Sequence, residues 1–167
     1  MWEWTFENDN GNLQEMQWAR NYVKDWNRLC QEGRGLLIYG NVGSGKTYMA
    51  AAIANALLEE EKRVLMRNFV WISDISVFDA ESKLNELSSY DLLVLDDLGA
   101  ERRSKFAQQN VFNVVDRRWS SGKPMIITTN LTPEKMAKAE DQGLYRIYDR
   151  ILGCCEPIRV VGPSQRK

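Results

Sequence analysis

Not one of the 167 residues is a histidine. That removes every Ser-His-Asp or Cys-His nucleophile arrangement and every His-ligated metal site. Chemistry falls to carboxylates, Lys, Arg and a bound metal, and phosphoryl transfer asks for little else. Cysteine is scarce too. Cys30 stands alone and Cys154 and Cys155 are neighbours, so no ligand-spaced pair of pairs exists and reduced thiols are the default. Net charge is nearly missing, with 22 basic residues against 23 acidic ones for a total of -1. No global field draws the chain to nucleic acid or membrane, so a DNA contact must be a local patch or a product of assembly. No run is long and apolar enough to cross a bilayer. Met1-Trp2-Glu3-Trp4 lacks the charged-then-apolar layout of a signal peptide, which points to the cytoplasm. A length of 167 residues fits one domain with a real core.

What is present is concentrated in Gly40-Asn41-Val42-Gly43-Ser44-Gly45-Lys46-Thr47. This run matches the phosphate-binding pattern G-x-x-x-x-G-K-[S/T] at every fixed position. Leu36-Leu37-Ile38-Tyr39 before it reads as a buried strand, and Tyr48 to Leu58 after it as a helix rich in alanine and leucine. A polyanion needs many backbone N–H groups converging on one point, and side chains on the loop would block that approach. The N-terminus of the next helix adds partial positive charge. Lys46 would reach the β- and γ-phosphates, and the Thr47 hydroxyl would ligate Mg²⁺. The loop predicts binding of a nucleoside triphosphate.

The rest of the chain alternates. Asn12-Leu13-Gln14-Glu15 reads as a capping box before a helix carrying Met16, Ala19, Val23 and Trp26 on one face and closed by Gly33 and Gly35. Arg63 to Arg67 is a second strand, residues 68–91 hold one or two short helices, and Leu92 to Leu95 is a third strand. A helix over Ser104 to Ser120 buries Ala107, Val111, Val114 and Val115. Met125 to Thr129 is a strand, helices follow around Glu134 to Ala139 and Tyr145 to Leu152, and Pro157 to Val161 is the last strand. Alternating strands and helices imply a parallel sheet covered on both faces, with ligands at the carboxyl ends of its strands.

Three further elements fall at such ends. Asp96 and Asp97 follow four aliphatic residues in the Walker B manner. The first carboxylate would hold Mg²⁺ and the second would orient or deprotonate the attacking water. Two solvated aspartates ending a strand have the same appearance, and the phosphate loop upstream is what favours the metal reading. Asp97 is a methylene shorter than the glutamate common at that position, which predicts slow hydrolysis. Asn130 closes the Met125 strand, where an amide can hold the attacking water or simply exit into a turn. Arg146 and Arg150 share one helix face, as a solvated basic face, a pair to Asp149, or an arginine finger for a neighbouring subunit.

Thr5-Phe6-Glu7-Asn8-Asp9, the phosphate loop, Leu92 to Gly99 with Ala100-Glu101-Arg102, Thr128-Thr129-Asn130 and Arg146 to Leu152 occur in that order. Together they closely resemble the ATPase domain of the DnaC-type helicase loaders, an AAA+ branch shared with IstB-type transposition helpers. The resemblance spans nearly the whole chain. It implies an α/β AAA+ core with a parallel five-stranded sheet of order 5-1-4-3-2, without a full helical lid. It also implies that residues 1–167 form a single ATPase domain, with residues 1–35 leading into the core. By the same match ATP and Mg²⁺ are the cofactors, Asn130 takes the sensor 1 position, Arg150 the arginine finger acting in trans, and Arg166 the sensor 2 position. Family members bind single-stranded DNA, assemble head to tail, and help place the replicative helicase on DNA. The sequence departs from the pattern in two places. The helicase-gripping N-terminal segment is expected to be absent, and residues 68–91 are short for a DNA-contacting insertion. Arg102, Arg103 and Lys105 are better candidates for phosphate contact, or else a solvated cluster. Trp71 or Phe69 could stack on bases or belong to the core. The alternatives to a loader are an IstB-like transposition or phage accessory ATPase and a small-molecule kinase.

Overall fold

The computed structural model describes residues 3–9 and 14–162. Two helices open the chain, α1 over Met16–Lys24 and α2 over Trp26–Glu32. Strand β1 spans Gly35–Tyr39 and leads through the glycine loop into α3, Lys46–Glu59. There follow β2 (Val64–Asn68), α4 (Phe69–Ser73), α5 (Ala80–Ser88) and β3 (Leu92–Leu98). The last part holds α6 (Lys105–Ser121), β4 (Met125–Thr129), α7 (Pro133–Ala137), α8 (Gln142–Cys154) and β5 (Cys155–Arg159). Every strand pairing is parallel and the sheet runs β2-β3-β4-β1-β5. Read from its other edge, that is the expected 5-1-4-3-2.

Strand alternation sorts the core into two layers. Leu36, Ile38, Leu92, Val94 and Ile126 face α1, α2 and α3, where they join Met16, Trp26, Met49 and Ile53. Leu37, Leu93, Leu95, Met125 and Ile127 face the other side, against Phe69, Val111, Val114, Val115 and Ile151. All of the apolar face predicted for α6 is buried.

Three local differences from the sequence reading have physical causes. The first helical segment breaks at Asp25, which leaves the helical region with φ -93° and ψ 11° and ends α1 before α2 begins. Gly33 ends α2 in the left-handed conformation, as expected, but Gly35 belongs to β1. A Cβ there would lie 1.9 Å from the Met125 carbonyl oxygen, so glycine is demanded by close strand approach and not by a helix stop. The expected capping box falls partly on Asn12 and Leu13, outside the described residues. Glu15 sits at the N-cap of α1 without a side-chain cap, and its Oε1 accepts the Val161 N–H at 3.0 Å.

Candidate nucleotide-binding site

The site is built where β1, β3 and β4 end side by side. Gly43 and Gly45 hold φ of +77° and +100°, a region L side chains rarely enter. Gly40 has a steric reason as well, since a Cβ would stand 2.3 Å from the Val160 carbonyl oxygen. Lys46 opens α3 and is buried, with its Nζ donating to the Asn41 carbonyl at 2.7 Å across the loop.

Asp96 stands opposite. Thr47 Oγ1 donates to Asp96 Oδ1 at 2.9 Å, so the residue after the loop lysine and the end of β3 meet directly. The hydroxyl of Thr128, on β4, donates to the same Asp96 oxygen. Thr128 Oγ1 also accepts the Asp97 N–H at 2.9 Å. This threonine, fully buried, is the functional residue the sequence reading missed. Its signal was a hydroxyl directly after the apolar run Met125-Ile126-Ile127, on a strand neighbouring the acidic strand end. The β3–β4 register shifts between Leu95 and Leu98, and Asp97 takes a positive φ of 61° there. Asp96 therefore faces Thr47 and Thr128, while Asp97 is turned toward solvent.

A hydroxyl and a carboxylate, both hard oxygen donors, fit Mg²⁺, which binds through one or two such groups with phosphate oxygens and water completing its shell. No cluster of three or more His, Cys, Asp or Glu suited to a metal occurs among the described residues.

Asn130 follows β4 and lines a cavity of about 280 Å³ with Asn41 and Ser44 of the loop. Arg150 lies elsewhere. On α8, its Nε donates to Asp116 Oδ1 on α6 at 2.9 Å, Asp149 lies 3.7 Å away, and the guanidinium stacks against Phe112 and Trp119. Arg146 lies over the same Phe112 ring at 4.3 Å. Arg166 lies outside the described residues. Arg102 pairs with Asp74 at 2.8 Å, and Arg103 lines a second cavity beside Gly99, Glu101 and Tyr148. Burial pushes the Glu101 carboxyl above its ordinary range, although Glu101 accepts the Gly99 N–H at 2.6 Å. Phe69 is core, whereas Trp71 is half-buried with Arg67 and Lys83 over its ring. Residues 3–9 strap the outside of α3, where Tyr48 Oη donates to the Thr5 carbonyl at 2.7 Å and Asn55 Nδ2 to that of Trp4 at 3.0 Å.

Residues 23–167 match the family model described as IstB-like ATP binding protein. The chain belongs to that family. Among curated relatives, the replicative helicase loader DnaI of Bacillus subtilis is 32% identical, with 95% of this chain and 55% of the relative covered. The replicative helicase loader DnaC of Escherichia coli is 33% identical, with 84% of this chain and 58% of the relative covered. The chain thus spans little more than half the length of these relatives. Its fold is shared with a crystal structure of DnaI (TM-score 0.77, 24% identity, covering 94% of this chain and 90% of that one). It is shared too with AMPPCP-bound DnaA from Aquifex aeolicus (TM-score 0.75, 23% identity, 95% and 50% covered). An AAA+ phosphate-loop fold and membership of an ATP-binding family follow.

Proposed function

We propose that this protein is the ATPase unit of a helicase loader, binding ATP·Mg²⁺, hydrolysing it slowly, and assembling head to tail to assist placement of the replicative helicase on single-stranded DNA. The observation that carries the nucleotide half is the Thr47–Asp96–Thr128 contact set beside the glycine loop. The loader half is supported by the two relatives named as loaders, each at about a third identity.

Backbone N–H groups of residues 41–47 bind the phosphates, and Lys46 exchanges the Asn41 carbonyl for β- and γ-phosphate oxygens. Mg²⁺ would supply charge neutralisation for the phosphates, and Asp96 and Thr47 are the residues that would hold it. Asp97 orients the attacking water, and Asn130 steadies that water against the γ-phosphate. Arg150 completes a neighbour's site. Its pair with Asp116 is partly exposed, and such pairs contribute about 1 kcal/mol or less, so exchanging it for a neighbour's phosphate is affordable.

The test uses the purified protein, the replicative helicase encoded in the same genome, and circular single-stranded DNA. ATP should raise the amount of helicase recovered on the circles, and Lys46→Ala should abolish the gain. Equal recovery with and without the protein would overturn the loader reading.

A further inference from the structure

At the end of β5, Ile158 and the following Val160 are buried and Arg159 is exposed between them. Arg159 pairs in register with Tyr39, the last residue before the glycine loop. The Val160 N–H donates to the Tyr39 carbonyl at 2.8 Å, and the Val160 carbonyl abuts Gly40 so closely that no Cβ fits. The backbone carrying Arg159 is thereby fixed against the start of the phosphate loop.

Arg159 lines the cavity of about 280 Å³ that Asn41, Ser44 and Asn130 also line. Arg159 has no ion-pair partner among the described residues. A second observation points to a ligand in this space. Ser44 is 1% exposed, and its Oγ has no hydrogen-bond partner among the described residues. An unpaired buried hydroxyl is costly, by about 1–3 kcal/mol, and an anionic oxygen entering the cavity would relieve it. Glu134 on the rim of the same cavity is exposed, so its charge is screened by solvent.

We infer that Arg159 grips the γ-phosphate of the loop-bound nucleotide from within the same chain, with Ser44 and Asn41 beside it, and so makes the site prefer ATP to ADP. The inference rests on the nucleotide-site reading above. It concerns a different residue from Arg150, which sits on α8 against α6. A guanidinium suits the role because its planar fork is always charged and matches two phosphate oxygens at once. ADP keeps the grip of the loop on its own phosphates but offers nothing to the fork.

The experiment titrates parent, Arg159→Ala and Arg159→Lys proteins with ADP·Mg²⁺ and with the β,γ-methylene analogue of ATP. Arg159→Ala should weaken the analogue by about tenfold or more while ADP affinity stays within about twofold. Arg159→Lys, which keeps charge but loses the fork, should fall between the two. An alanine variant that weakens both ligands equally, or neither, overturns the inference. A parent protein that binds neither ligand overturns instead the nucleotide-site reading on which it stands.

Discussion

Asp97 holds a φ of 61°, which a non-glycine residue adopts at a cost of about 1–2 kcal/mol. The bulge that imposes it separates two adjacent carboxylates into different surroundings. Asp96 receives hydroxyl hydrogen bonds from both Thr47 and Thr128, and Asp97 is left exposed. Different substitutions should therefore fail differently. Asp97→Asn keeps a side chain that tolerates the left-handed region well, so the fold should survive. It should bind ATP·Mg²⁺ nearly as the parent does and hydrolyse it about tenfold more slowly or worse. Asp96→Asn should instead lose most of the Mg²⁺-dependent part of ATP affinity. Fluorescent-nucleotide titrations with and without Mg²⁺, alongside turnover, read both. Parent-like hydrolysis in both variants would move the metal site elsewhere. The pair of aspartates was legible in the sequence, but their division was not, because a register slip between strands leaves no local pattern. Thr128 escaped for the same reason, since its partners are distant in sequence.

Elements were legible wherever the apolar period was long. The strand Met125–Thr129 coincides with its predicted bounds, and α6 begins one residue after its Ser104 cap, whose hydroxyl accepts the Ala107 N–H. The break at Asp25 and the strand role of Gly35 were hidden, since each depends on what lies across the fold. Arg118 is the strongest case. It reads as a polar residue near a helix end, yet it is 2% exposed and donates to the carbonyls of Pro124, Tyr90, Asp91 and Leu87. Burial pushes its pKa down to about 10, so it remains charged at neutral pH. Those carbonyls precede β3 and β4, at the end of the sheet away from the glycine loop. Arg118→Met would leave several buried acceptors without a donor, at a cost of about 3 kcal/mol in urea unfolding, while the ATP affinity of the folded fraction stays unchanged. An unaltered midpoint would show that the guanidinium does not tie these elements together.

At the scale of the whole molecule, the glycine loop and Arg150 belong to different parts of the surface, one at the strand ends and the other on α8 against α6. A residue so placed acts on a phosphate most simply when it belongs to a neighbour packed head to tail, a contact that propagates into rings or open helices. Arg150→Ala should then leave ATP binding by isolated subunits intact while lowering turnover. The most direct measurement mixes Arg150→Ala with Lys46→Ala chains and follows ATP hydrolysis per subunit against protein concentration, with and without single-stranded DNA. Neither variant alone has a complete site, but some mixed interfaces join an intact loop to an intact arginine. Turnover that rises with concentration and partly returns on mixing is the expected result. Turnover that is flat with concentration, together with no recovery in the mixture, would contradict the assembling ATPase.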